Sequence, residues 1–381
     1  MDDVSEFIKA ATSGRRARAE ALYGPAIADD PWVRLAHGDG WEGDANAPGG
    51  PNGWAPLLYV AHSVFASPAL ARELLERGAD PNATFTNEYG EMSALYGAAG
   101  VVHDPELTEV LLRAEADPDD GESVYHATEA VSPECLRLLL EYGATVEPIM
   151  LAHALDDDRP EHVKLLLDYG ADATELLPHA VRRGRGAETI RVLVDSGADL
   201  EHRGGELWRK PERLRTAYQH AVLRNRDEVA SALEGYGAKT DVEFDDLAVA
   251  AIARGERPPV VPEAPDYDQQ EVLILAEALP LVVELYGPDF RGVVGGSPTA
   301  SLLAHAAWFG APDRVRVLLA NGATPDALGA AVFGSHGWRE PGRDHVAVAE
   351  QLVAAGDVIQ PQYAAEADGP LAEWLAARPP R

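Results

Sequence analysis

The sequence contains one cysteine, Cys135, which excludes a disulfide within the chain. Because Cys135 lies in a leucine-rich segment, we expect a small buried apolar residue there and not a reactive thiol. No apolar run reaches the roughly 18 residues that a membrane-spanning helix requires. The longest candidate, Val272 to Val283, is interrupted by Glu277 and Pro280. The sequence therefore predicts neither covalent cross-links nor membrane spans.

Basic residues are also scarce. The 32 Lys and Arg stand against 63 Asp and Glu, which gives a formal net charge of −31. Only four of the 32 are lysines, a bias that indicates a GC-rich bacterial genome. Nucleic-acid binding needs clustered Lys and Arg, so this composition argues against it. The first residues, Met1-Asp2-Asp3, do not begin a basic and then apolar targeting signal, which predicts a cytoplasmic protein.

The chain does contain an internal repeat. Three leucine-rich segments of helical spacing, at 133–144, 160–172 and 187–199, each have a glycine just after the last helical turn. Gly143, Gly170 and Gly197 follow one another at intervals of 27 residues. Self-similarity at a fixed period is typical of repeat folds. A glycine directly after a helix favours the left-handed conformation that ends the helix, because other residues would meet a Cβ clash there.

The wording of these segments resembles the ankyrin repeat, whose second helix ends in leucines followed by Gly-Ala-Asp. Further copies read LLERGAD at 74–80 and LLANGA at 318–323, and LLRAEAD at 111–117 has Glu115 at the glycine position. The resemblance covers nearly the whole chain and identifies it as similar to a bacterial ankyrin repeat protein. It implies an all-α solenoid of about ten to eleven helix-turn-helix units that supplies binding surfaces.

Registered on the glycine, the chain divides into repeat units. They are 54–80, 92–117, 122–145, 149–173, 176–200, 215–239, 244–268, 270–290, 299–324 and 327–357. Helices over 5–11 and 17–23 form a cap repeat, and 371–377 forms a C-terminal capping helix. Segment 29–53 is predicted to be a long loop of functional or disordered type. Longer links at 81–91, 200–214 and 288–298 indicate tall fingers.

Residues 256–268 interrupt the pattern. Four prolines between Pro258 and Pro265 forbid the outer helix that should follow 245–254. We therefore predict an N-terminal array over 1–255, a proline-rich seam over 256–268 and C-terminal repeats with the capping helix over 269–381.

One histidine recurs in the inner helices, each time followed by alanine. This histidine ladder comprises His126, His153, His179, His220 and His305. Helices of adjacent repeats pack about 8–10 Å apart, whereas ligand nitrogens lie about 2.1 Å from a shared zinc. The ladder is therefore predicted to be structural, and we predict no metal and no cofactor.

Residues three and four positions after the ladder lie on the same side of the inner helix, which in ankyrin-like folds lines the concave groove. This register selects candidate partner-binding residues of alternating charge, followed by two aromatics. They are Asp156, Asp157, Arg182, Arg183, Arg224, Trp308 and Phe309, with Glu129 at the equivalent place in an earlier repeat. A solvated face with two core aromatics is the alternative interpretation.

Two further stretches hold residue types found in active sites. The Gly-rich segment 291–298 lacks the Lys-Ser/Thr of a phosphate loop and is predicted to be a finger turn. Ser335, His336, Trp338, Asp344 and His345 cluster in an insertion that is predicted to be a surface loop. We assign no catalytic residue.

The expected function is non-catalytic protein–protein recognition by a monomer, with an unidentified protein partner and with neither nucleic acid nor membrane. One alternative is an enzyme on an ankyrin scaffold, with a small-molecule pocket between the long loops and the inner helices. Another is an acidic regulatory or inhibitor protein. A closed cavity with convergent His, Asp and Trp would favour the enzyme, and an open trough with exposed aromatics would favour the binder.

Overall fold

The computed structural model describes residues 2–156, 158–204, 213–294, 297–337 and 341–378. The chain divides into two compact units, Met1–Asp199 and Leu200–Arg381. The predicted seam at 256–268 lies inside the second unit, so the predicted array limits do not coincide with the two units. Within each unit the predicted all-α, ankyrin-like helical-repeat fold is confirmed.

The first unit consists of a cap and five repeat pairs of helices, with one β-hairpin. Its elements are α1 Asp3–Ala11, α2 Arg16–Leu22, α3 Pro31–His37, α4 Pro56–Ala61, α5 Pro68–Glu76, β1 Thr84–Asn87, β2 Gly90–Ser93, α6 Ala94–Tyr96, a π-helix Gly97–Val102, α7 Pro105–Arg113, α8 Ser123–Ala127, α9 Glu134–Glu141, α10 Pro148–Ala154, α11 Pro160–Asp168, α12 Leu177–Arg182 and α13 Ala187–Asp195.

Helix boundaries follow from local sequence. In α7, Asp104 accepts a hydrogen bond from the Leu107 backbone N–H at 2.9 Å, and Pro105 occupies the first helical position. Such capping satisfies an amide that would otherwise lack an acceptor. The leucine stripes face inward, since Leu136 and Leu139 of α9 are fully buried. Amphipathic spacing thus determines both the helices and the faces by which they pack.

The predicted loop over 29–53 is corrected in part, because α3 lies within it. Asp30 caps this helix by accepting from the backbone N–H groups of Trp32 and Val33. Pro31 occupies the first helical position, and Val33 and Leu35 are fully buried. The Asp-Pro pair was the available signal, but the surrounding glycines and prolines obscured it.

The second unit continues the pairs and adds a second hairpin. Its elements are α14 Ala217–Leu223, α15 Asp227–Gly235, α16 Phe244–Ala253, α17 Tyr267–Leu275, α18 Leu279–Tyr286, β3 Arg291–Val294, β4 Ser297–Ser301, α19 Leu302–Trp308, α20 Pro312–Ala320, α21 Leu328–Gly334, a 3-10 helix Ser335–Gly337, α22 His345–Ala355, α23 Tyr363–Glu366 and α24 Gly369–Ala376. Between α16 and α17 the chain is irregular, so the predicted loss of an outer helix there is confirmed.

Two of the three predicted long links are antiparallel hairpins. In the first, Thr84 pairs with Ser93 and Asn87 with Gly90. In the second, Arg291 pairs with Ser301 and Val294 with Ser297. The third link begins and ends on a bridge between Gly204 and Arg215, and its residues 205–212 lie outside the described part of the chain.

The repeat glycines adopt the predicted left-handed conformation, with φ of +98° at Gly143, +100° at Gly170 and +94° at Gly197. Glu115, which occupies the same place after α7, has φ of +68°. A Cβ is unfavourable in this region, and the cost of a non-glycine residue there is of order 1 kcal/mol.

We therefore expect Glu115→Gly to raise the free energy of unfolding of the first unit by about 0.5–1 kcal/mol, since released strain exceeds the added freedom of the unfolded chain. Urea-induced unfolding followed by circular dichroism measures the change. Gly143→Ala is the matched control, because an added Cβ there contacts no atom within 4 Å and introduces conformational strain alone. A less stable Glu115→Gly protein would contradict this explanation.

Candidate partner-binding site

Two of the predicted partner-binding aromatics lie on the surface of the second unit. Trp308 ends α19 with 45% of its surface exposed, and Phe309 follows it with 41% exposed. Phe333 of α21, 56% exposed, lies nearly parallel to Trp308 with ring centroids 6.4 Å apart. We call Trp308, Phe309 and Phe333 the aromatic patch. The alternative that Trp308 and Phe309 are core residues does not fit these exposures.

The backbone beneath the aromatic patch is held from two sides. Gly334 of α21 packs so closely on α19 that an added Cβ would overlap the Trp308 carbonyl oxygen. The imidazole of His345, buried at the start of α22, lies with Nε2 2.9 Å from the same oxygen and donates to it. The Arg343 guanidinium covers the ring of Phe309 at 4.9 Å. Because these contacts fix the backbone, the patch is a pre-formed surface.

Within the insertion that we predicted to be a surface loop, Ser335 and His345 make structural bonds. Ser335 is fully buried, donates to the Val332 carbonyl at 2.6 Å and accepts from the Asp368 backbone N–H at 2.8 Å. Asp344 caps α22 through the Ala347 N–H. Trp338 lies outside the described residues.

The predicted charged residues of the first unit are partly engaged with one another. The Arg183 guanidinium forms an ion pair with Asp156, and both side chains are about 40% exposed. Arg182 lies at the end of α12, half-buried. Asp157 lies outside the described residues. Exposed ion pairs contribute little to stability, so a partner could replace this one. Arg183 and Asp156 therefore remain candidate partner-binding residues at the edge of an interface.

Arg224 occupies a different environment from the one that the register predicted. Its side chain is 10% exposed, and Nη2 lies 3.0 Å from Asp268 Oδ1 and 2.7 Å from Glu271 Oε2. A guanidinium engaged by two carboxylates is not available to a partner. The assignment of Arg224 to the partner-binding set is therefore corrected: it is part of a buried network.

Arg215 lies at the centre of that network, and its side chain is 1% exposed. It donates to Asp246 through Nε at 2.8 Å and Nη2 at 2.7 Å, to Asp266 at 2.6 Å and to Asp268 at 3.2 Å. Burial alone would lower the pKa of Arg215, but hydrogen bonds to Asp246 and Asp266 raise it overall. The network joins α14, α16 and α17 where the outer helix is missing.

The histidine ladder separates into two environments. His179 and His220 are buried, and His305 is mostly so. His220 donates through Nε2 to the Gly204 carbonyl at 2.9 Å, while Nδ1 faces Arg224 at 3.2 Å. Burial, reinforced by Arg224, lowers the pKa of His220 to about 3. Burial and then Arg314 lower the pKa of His305 to about 4, and its ring nitrogens have no hydrogen-bond partner among the described residues.

The remaining two ladder histidines are paired with carboxylates. Glu129 Oε1 lies 3.0 Å from both His126 Nδ1 and His153 Nε2. His153 Nδ1 lies 3.3 Å from Asp156, and its ring stacks on Tyr125 at 3.8 Å. This chain of contacts joins α8 to α10, and so the ladder includes inter-repeat bonds here as well.

His62 makes a similar buried bond but lies one position outside the ladder register, 16 residues before Gly78, whereas His126 and His153 lie 17 residues before Gly143 and Gly170. His62 directly follows α4, and only 2% of its surface is exposed. Its Nε2 donates to the Ser93 carbonyl of the next repeat at 2.9 Å. Burial lowers its pKa to about 4. This one-residue offset, together with Ser63 where the ladder has alanine, is why the pattern did not include His62.

Cys135 is 1% exposed and accepts a weak hydrogen bond from Thr108 at 3.6 Å. The prediction that Cys135 is a buried residue is therefore confirmed, and this burial raises the pKa of its thiol to about 11. Among the described residues, no group of His, Cys, Asp and Glu side chains is arranged to hold a metal ion. Across that same part of the chain, every helix falls short of the length and apolarity needed to cross a bilayer.

Comparisons with known proteins give limited information. No protein-family model and no curated protein matches the chain. Among solved structures, the ankyrin repeat domain of human ASB11 is 22% identical, with a TM-score of 0.43, and the match covers 61% of this chain and 98% of that one. The ankyrin repeat domain of Bcl-3, a member of the IkappaB family, is also 22% identical, with a TM-score of 0.39, covering 60% and 98%. The likeness is too slight to transfer a partner or a site.

Proposed function

We propose that the protein is a non-catalytic recognition module that binds a protein partner through the aromatic patch. The supporting observation is the exposure of Trp308, Phe309 and Phe333 on a backbone that is held in place. Exposed apolar clusters mark interaction sites on soluble proteins, and aromatic anchors dominate interface energies.

The alternative of an enzyme has less support. The acid–base residue types of the insertion are occupied by structural bonds, as Ser335 and His345 show. The acidic regulatory or inhibitor protein is a special case of the proposed recognition function, in which the partner is inactivated on binding. Monomeric state, cytoplasmic location and bacterial origin stay predictions.

The proposal predicts that Trp308→Ala weakens partner binding by about 30-fold, equivalent to about 2 kcal/mol, and leaves the midpoint of thermal unfolding within a few degrees of wild type. The measurement is quantitative affinity capture at low salt, followed by titration of the purified partner. Phe244→Ala is the matched control, since Phe244 is 50% exposed in the same unit but lies outside the aromatic patch.

Two outcomes would contradict the proposal. If Trp308→Ala lowered the free energy of unfolding by several kcal/mol, the side chain would be a core residue. If Phe244→Ala weakened binding as much as Trp308→Ala, the loss would reflect general surface hydrophobicity and not the aromatic patch.

A further inference from the structure

A second surface, in the first unit, has a different chemistry from the aromatic patch. A cleft of about 550 Å³ lies between the β1–β2 hairpin and α8. Three tyrosines line it together with one carboxylate, one imidazole and one thioether: Tyr89, Tyr96, Tyr125, Glu122, His126 and Met92. The hairpin contributes Tyr89 from its turn, and α8 contributes Tyr125 and His126. We call this surface the tyrosine cleft.

The tyrosine cleft is acidic. Glu122 lies at its wall, with Oε2 3.3 Å from His126 Nε2 and the other carboxylate oxygen not in that contact, and none of the described lining residues is Lys or Arg. The tyrosine hydroxyls respond to the surrounding charge: burial raises the pKa of Tyr96, and Glu122, Glu129 and Asp120 raise it further. Burial likewise raises the pKa of Tyr125, with added effects of Asp156 and Glu129. A cation that entered the cleft would meet a negative field.

We propose that the tyrosine cleft binds an arginine side chain carried on a basic segment of a polypeptide partner. Electron-rich ring faces attract cations, and a guanidinium is planar, so it stacks on tyrosine and pairs with a carboxylate through the same group. Tyr89 supplies an accessible ring, and Glu122 supplies the carboxylate. This combination of rings and charge selects arginine over a neutral side chain.

The cleft is open to solvent, and this openness favours a side chain of a polypeptide over a free small molecule as its occupant. Tyr89 is 80% exposed, and Asn87 and Gly121 on the same rim are also exposed. Small-molecule sites enclose most of their ligand, whereas this rim leaves room for the backbone that carries a side chain. The inference does not depend on the proposed function, because the aromatic patch lies in the other unit.

The test uses the full-length protein and an acetylated, amidated peptide of sequence GSGRGSG, titrated at low salt by saturation-transfer NMR. The same peptide with citrulline in place of arginine has the same shape without the charge. We expect saturable binding of the arginine peptide and at least tenfold weaker binding of the citrulline peptide. Tyr89→Ala should weaken binding of the arginine peptide about fivefold, and Tyr89→Phe should leave it within twofold of wild type, because the ring face remains.

Charge attraction in general must be separated from the site. Glu122→Gln should weaken binding about tenfold, whereas Glu141→Gln, which makes the same change in net charge at the exposed end of α9, should have no effect. Equal loss in these two variants, equal binding of the citrulline peptide, or absence of saturable binding would each overturn the proposal.

Discussion

Replacing Arg215 by methionine is expected to lower the free energy of unfolding of the second unit by about 3–5 kcal/mol, because it leaves the buried Asp246 carboxylate without its close counter-charge and Asp268 with Arg224 alone. The side chain of Asp246 is 1% exposed and that of Asp268 is 2% exposed, so water cannot reach either carboxylate to replace the lost hydrogen bonds. The three carboxylates come from α16 and the start of α17. Without Arg215, repulsion between these carboxylates would push α16 and α17 apart. The proline-rich segment between these two helices provides no outer helix to hold them together.

Urea-induced unfolding, followed by circular dichroism, measures this loss. Arg257→Met is the control: Arg257 pairs with Glu284, but both side chains are more than half exposed, so we expect a change below about 1 kcal/mol. Adding Asp246→Leu to Arg215→Met should recover part of the stability, since it removes one of the stranded charges. A loss of less than 1 kcal/mol from Arg215→Met would show that the network does not hold the second unit together.

Acidification from pH 7.5 to pH 5 is expected to destabilise the first unit by about 2 kcal/mol through His62, at about 1.4 kcal/mol per pH unit below pH 6.5. The pKa of His62 falls from 6.5 to about 4 on folding. In the second unit the pKa of His220 falls to about 3 and that of His305 to about 4, so both histidines act in the same direction there. In this range the unfolded chain binds a proton that the folded chain does not. Stability is therefore full above pH 6.5 and decreases as the pH falls towards the folded pKa.

The variant His62→Gln isolates this effect in the first unit. Glutamine can donate to the Ser93 carbonyl but does not titrate, so the variant should lose about 2 kcal/mol less than wild type between pH 7.5 and pH 5. His336→Gln serves as the exposed control and should follow wild type. An NMR titration in which the His62 imidazole protonates near pH 6.5 would contradict the burial argument.

The fold was largely predictable from the sequence, because its signals are local. Leucine spacing specifies amphipathic helices, and Gly143, Gly170 and Gly197 each mark the end of one such helix. Both signals act locally and do not depend on distant parts of the chain. Four prolines likewise exclude a helix between α16 and α17. The helix α3 escaped prediction because its cap and first turn are short and are surrounded by turn-forming residues.

The candidate sites were predictable only in part, because burial and pairing depend on residues far apart in the chain. Periodicity selected Trp308, which is exposed, but Phe333, which accompanies it, comes from another helix. It also placed Arg224 on an exposed face, whereas Asp268 and Glu271 across the proline-rich segment bury it. Repeat spacing alone thus determined the helices and their register. Tertiary contacts decided which charges are neutralised in the interior and which remain at the surface, since the energy of a charge depends on its solvent exposure and its neighbours.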